Sequence, residues 1–298
     1  MDHVEFDREA PASLPTMVVA FGGWIDAGRA ATGALRHLVR ELPAERLARI
    51  DPEEFFVFTQ ERPDVRLRPD GGRDIVWPAS EFFAWYPDGR DGLLLFSGPE
   101  PHQKWRTYTK AFLGVAERCG VKRIISLGAL LAAAPHTRPV RVTARCTDAV
   151  SRALLEGWGI YRRPTYEGPT GISSVLLDAA EKRGIDHVGF MGQAPHYLQG
   201  SENPAAIHAL LSHVARLLHL TPDLSEFDEA IKDFRQQCDR AVARDRATRE
   251  HVKQLEQEYD AAAGEEPPPL SGEQLDSEKL MREVEEFLRK QREGGTQT

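Results

Sequence analysis

Short continuous apolar runs alternate with amphipathic stretches through the first two thirds of the chain. Met17-Val18-Val19-Ala20-Phe21 is the first run; it stops at Gly22-Gly23, and an alanine-rich stretch with helical spacing follows, with Asp26 beside its start and Pro43 at its end. A strand passing directly into a helix is the opening unit of an α/β sheet. The same pattern predicts strands over residues 55–59, 92–97, 123–128, 140–144 and 187–192, with a loop or hairpin over 64–74 leading into Ile75-Val76-Trp77. Helices are predicted over about 105–118, 147–156 and 173–183, and from Asn203-Pro204 to Leu218, where proline falls in the first turn as helices tolerate. This alternation predicts an α/β fold: a three-layer sandwich around a mostly parallel sheet, spanning residues 1–222.

Beyond Thr221-Pro222 the pattern changes. Leu224, Phe227, Ile231, Phe234, Cys238 and Ala241, then Val252, Leu255 and Tyr259, recur at steps of three and four, a heptad seam interrupted at Asp245 and Thr248. Glu265-Glu266-Pro267-Pro268-Pro269 breaks the helix, and Leu280, Val284 and Phe287 mark a second, shorter one before a disordered Gly294–Thr298 end. Residues 223–298 thus read as a helical extension. Its seam, at Phe227, Ile231, Phe234, Cys238 and Ala241, packs either on its own domain or on a partner.

Composition narrows the classes. The chain has 298 residues, 41% apolar and 28% charged, which suits a soluble protein with a real core. A net charge of −8 argues against nucleic-acid or anionic-membrane binding. No apolar run approaches the roughly 20 residues of a membrane span, and Met1-Asp2-His3-Val4-Glu5-Phe6-Asp7 lacks the features of a signal peptide. Cys119, Cys146 and Cys238 show neither disulfide nor zinc spacing, so the expected compartment is the cytoplasm.

Candidate chemistry is sparse. Neither Gly-x-Gly-x-x-Gly nor a Walker loop follows the first strand, and no histidine pair has a convincing metal spacing, so no cofactor or metal is expected. Gly22-Gly23, Gly128 and Gly168-Pro169-Thr170-Gly171 are glycine-bearing turns that could gather at one sheet edge. Glu167, Gly168, Thr170 and Gly171, preceding a helix, could hold an anion on backbone N–H groups, or could simply form a tight turn with Ser173 as cap. Asp26 reads as a helix cap or a general base. His136 and His196, each beside a proline near a strand end, are the histidines expected to face a cleft. Gly171-Ile172-Ser173-Ser174-Val175 lacks the second glycine of a nucleophile elbow.

Three motifs in order, Phe21-Gly22-Gly23-Trp24-Ile25-Asp26-Ala27-Gly28, Leu95-Phe96-Ser97-Gly98-Pro99-Glu100-Pro101 and Tyr166-Glu167-Gly168-Pro169-Thr170-Gly171-Ile172, resemble the proteasome assembly chaperone 2 family, closest to its actinobacterial-type branch. The resemblance covers about residues 15–220 and extends to the helical tail. It implies an α/β/α sandwich similar to nucleoside phosphorylases, a tendency to form homo-oligomers, with a trimer expected, and no established catalytic residues. It also implies proteasome subunits as candidate partners of a non-enzymatic assembly chaperone or scaffold. Some archaeal relatives dock through a hydrophobic–Tyr–any-residue C-terminus, whereas this chain ends Thr296-Gln297-Thr298. The competing expectation is a nucleoside-phosphorylase-like enzyme or small-ligand module. Phosphate would then sit on the Gly168–Gly171 turn, with Asp26, His136 or His196 in acid–base roles.

Overall fold

A computed structural model describes residues 2–9, 13–89, 91–198 and 200–261. Residues 1–260 form one unit and 261–298 a second. The expected second tail helix at Leu280, Val284 and Phe287 and the chain end at Gly294–Thr298 lie outside the described residues.

The run at residue 17 forms a strand because every side chain in it can be buried, on alternating faces. Strand order in the main sheet is β1 (Val4–Phe6), β3 (Glu45–Ile50), β6 (Ser80–Trp85), β7 (Leu93–Pro99), β2 (Thr16–Gly22), β8 (Arg123–Ala132), β10 (Asp186–Pro195) and β9 (Val142–Cys146). The four central strands β7, β2, β8 and β10 are parallel, and antiparallel strands flank them on both sides, so the sheet is mixed. A separate hairpin, β4 (Asp64–Leu67) with β5 (Arg73–Val76), realises the predicted hairpin before Trp77.

Helices cover both faces. Met17, Val19 and Phe21 of β2 pack with α2 (Trp105–Arg118) and α4 (Ile172–Glu181). Val18 and Ala20 pack with α1 (Ala30–Glu41), α5 (Pro204–Leu218) and Leu155 of α3 (Ala149–Gly157). On the first face the Phe96 ring packs against Phe82 and Phe21 at a tilt and against Phe112 edge-on, with ring centroids 4.8–4.9 Å apart. Each such ring contributes about 1.5–3 kcal/mol by burial. Asn203 caps α5 by accepting from Ala206 N–H at 3.1 Å, and Asp148 caps α3 by accepting from Ser151 N–H at 2.7 Å.

Two departures from the predicted elements have local causes. Residues 55–59 are not a strand: the N–H groups of Phe55 and Phe56 both donate to Pro52 O, which closes a helical turn. The Phe55 ring then meets Tyr108 edge-on at 5.2 Å, so the apolar run plugs the core from a loop. The strand lies instead at Glu45–Ile50, where a bulge between Arg46 and Ala48 breaks the alternation a reader would look for. Beyond α5, the tail forms α6 (Glu226–Ala243) and α7 (Arg246–Ala261), broken near Asp245.

On β10, His187 is buried, with Nε2 2.9 Å from Ser126 Oγ. Burial, and secondarily the Arg145 cation, pull its pKa down from 6.5 to about 3. The folded protein keeps this ring neutral where the unfolded chain protonates. Its contribution is therefore complete above pH 6.5 and is lost as pH falls toward 3. The expected loss is at most about 1.4 kcal/mol per pH unit. Urea unfolding at descending pH should give a shallower decline for His187→Gln than for the wild type, and equal slopes would contradict the assignment.

Candidate functional site

β2 and β7 are parallel neighbours, yet the helices that follow them lie on opposite faces: α1 packs with one core and α2 with the other. Their carboxyl ends therefore splay apart, which is where open α/β sheets place ligands. A cleft of about 830 Å³ lies there, lined by Gly22, Gly23 and Asp26 on one wall and by Ser97 to Pro101 on the other. Arg29, Thr32, Arg36, Glu61, Ala79, His102 and Trp105 complete it.

Two carboxylates organise this edge. Asp26 lies in the turn before α1, where its Oδ1 accepts from Ala31 N–H at 2.8 Å and Thr32 N–H at 3.2 Å, while Oδ2 accepts from Thr32 Oγ1. Burial raises its pKa, opposed by those hydrogen bonds and by Arg36. Of the two roles open to Asp26, the geometry realises the cap. Glu100 follows β7; its N–H donates to Gly22 O at 2.9 Å, and its Oε1 accepts from Ile172 N–H at 2.7 Å. Glu100 thus places a carboxylate on the first turn of α4, the position a bound anion would take.

Two glycines sit where these loops meet. Gly23 has φ +117°, and a Cβ on it would come within 3.2 Å of Glu100 Cβ. A Cβ on Gly171 would sit 2.8 Å from Glu100 Oε1. Glu100 was not among the candidate residues; its place between two prolines after a strand is the signal the sequence offers for it. Glu167, Gly168 and Thr170 lie in an exposed loop, where the Tyr166 hydroxyl donates to Pro169 O at 2.8 Å.

The two histidines are not in the cleft. His136 is buried on the loop after β8; its backbone N–H donates to Tyr197 Oη at 2.8 Å, and its Nε2 lies 3.1 Å from Asp239 Oδ1 on α6. With that acceptor on Nε2, Nδ1 takes the Tyr197 O–H at 2.7 Å, and burial above all pushes the Tyr197 pKa up to about 12. His196 donates from Nδ1 to Ala132 O at 3.1 Å, which leaves its Nε2 to accept from His251 Nε2 on α7 at 3.2 Å. Burial, with His251 adding to it, lowers the His196 pKa, while the Ala132 bond opposes the shift.

Further bonds tie α7 to the same loop. Arg138 makes a two-bond contact with Asp260, Thr137 Oγ1 donates to Glu256, and Arg141 stacks 3.8 Å over the Tyr259 ring. The seam is partly used in the same way: Phe227 and Cys238 are buried, Ile231 and Phe234 half-buried, and Ala241 exposed. Phe227 packs 5.1 Å from the His37 ring of α1. Among the described residues no group of three metal-ligating side chains is placed to hold an ion.

A family model described as the PAC2 family matches residues 20–242. The chain belongs to the PAC2 family. A PAC2 family protein from Streptomyces avermitilis is 34% identical, with a TM-score of 0.72 over 80% of this chain and 99% of that one. A Mycobacterium tuberculosis proteasome-assembly chaperone homologue is also 34% identical over the same shares, with a TM-score of 0.70. An archaeal proteasome activator from Pyrococcus furiosus shares the fold at 20% identity, with a TM-score of 0.63 over 80% of this chain and 97% of that one. A search of curated proteins found no match. The PAC2 match takes in both the cleft and α6.

Gly171→Ala should lower stability by about 1 kcal/mol, because the new methyl displaces the Glu100 cap. With Glu100→Ala already present it should cost clearly less, and additive losses in a double-mutant cycle would contradict the contact. Separately, Arg138→Ala should speed amide exchange over residues 250–261; unchanged protection there would mean the loop does not hold α7.

Proposed function

We propose that the protein is a non-enzymatic assembly chaperone or scaffold acting in proteasome assembly, as a cytoplasmic homo-oligomer with a trimer as its stoichiometry. The observation that carries this reading is that the polar groups a catalytic site would need are already bonded within the chain. Asp26 and Glu100 cap helices, and His136 and His196 are tied to the tail helices. Likeness to a proteasome-assembly chaperone homologue supports the same direction. No described helix is long and apolar enough to cross a membrane.

The partner surface is proposed on the outward side of α6, where Phe234 and Ala241 retain exposed area while Phe227 and Cys238 face inward. One observation favours a second reading, a small-ligand module: the cleft is roomy and carries Arg29, an exposed cation at its mouth. The amino ends of α1 and α4 already carry Asp26 and Glu100, which disfavours phosphate at those two helix ends.

Reconstitution with proteasome α subunits of the same source tests the leading reading. Size-exclusion chromatography should show a stable complex and faster ring assembly, both weakened by Phe234→Asp. Absence of co-elution and of any rate change at micromolar concentrations would sink it. Light scattering of the protein alone should give three times the 33.3 kDa chain mass.

A further inference from the structure

The β4–β5 hairpin pairs with no third strand among the described residues. Its register sets Val65 opposite Ile75 and Leu67 opposite Arg73, which places these four on one face. Val65, Leu67 and Ile75 are 56%, 78% and 53% exposed. At the base, Trp77 is half-exposed with its ring 4.7 Å from Phe58. A two-stranded ribbon with neither face covered is marginal in water. A contiguous apolar face of this kind marks a contact surface.

A counterpart lies at the β9 end of the sheet, the other end from the β3 and β6 strands that the hairpin connects. Beside edge strand β9, α3 turns Val150 and Leu154 outward, 79% and 41% exposed and one helical turn apart. Exposed Ala153 and Gly157 border them, so the strip is flat enough for a ribbon to lie across it. The charges match as well. Arg68, Asp70 and Asp74 of the hairpin satisfy one another, whereas Arg73 has no ion-pair partner among the described residues. Glu156, at the rim of the α3 strip, is likewise without one there.

The two surfaces are unlike, and the strands that the hairpin connects, β3 and β6, lie at the other end of the sheet order from β9, so a head-to-tail arrangement lets each copy use both. We propose that the hairpin of one copy docks on α3 of the next. Val65, Leu67 and Ile75 cover Val150 and Leu154, and Arg73 meets Glu156. Each copy gives one hairpin and receives one, so the contact extends around a ring when the rotation closes. This rests on the homo-oligomeric reading above and supplies its surfaces.

Light scattering on the full chain at tens of micromolar tests it with Leu67→Asp and Val150→Asp, both at exposed positions. Each variant alone should fall to the mass of one chain, with its thermal midpoint unchanged from that of the dissociated wild type. An equimolar mixture should double that mass, because Leu67→Asp keeps a working α3 strip and Val150→Asp a working hairpin. A monomeric wild type would overturn the oligomer itself. An oligomer unaffected by Val150→Asp would leave the oligomer standing and remove these surfaces. Mixed variants that stay monomeric would exclude the head-to-tail pairing. If Leu67→Asp lowered the thermal midpoint of the monomer, the hairpin would be covered by its own chain, and the proposal would fail.

Discussion

The central strand β2 is buried on both faces through five consecutive apolar residues, Met17 to Phe21. Such a strand must have a core above and below it, and this requirement sets the rest of the architecture. Helix α1 covers one face and α2 the other, so the chain leaves β2 and β7 in opposite directions. The cleft between their carboxyl ends follows from that divergence. The strand ends just before Gly23, whose φ of +117° is one that side chains rarely adopt and where a Cβ would press to 3.2 Å from Glu100 Cβ.

That geometry brings helix amino ends to the cleft, where each carries a partial positive charge. In many α/β proteins a ligand supplies the negative partner. Here the chain supplies it twice, with Asp26 on α1 and Glu100 on α4. The carboxyl ends of β8 and β10 are treated similarly: His136 and His196 meet Asp239 and His251 from α6 and α7. The tail helices therefore complete the sheet edge, and the histidines serve as attachment points for them.

Much of this was legible from local pattern. The helix over 105–118 and the strand run at 17–21 were readable because burial on a helical stripe or on both strand faces leaves a periodic or continuous apolar signature. Strand Glu45–Ile50 was not, since its bulge and three charged residues erase the alternation. Phe55 and Phe56 misled for the opposite reason, being apolar enough for a buried strand yet held in a turn by Pro52. Of the candidate site, Gly22, Gly23 and Asp26 do line one cleft, and Gly171 abuts Glu100 at its side. His136 and His196 belong to a different arrangement. Their partners lie 103 and 55 positions away in the chain, and Glu100 reaches across 72. No local pattern reports pairings at that range.

Asp26 and Glu100 occupy the amino ends of α1 and α4 that a ligand would otherwise take. Calorimetric titration of the full-length protein with inorganic phosphate tests this most directly. No saturable heat is expected up to millimolar phosphate, because Glu100 already holds the amino end of α4. Saturable binding that is lost when Gly171 is replaced by valine would place an anion on that turn and contradict it.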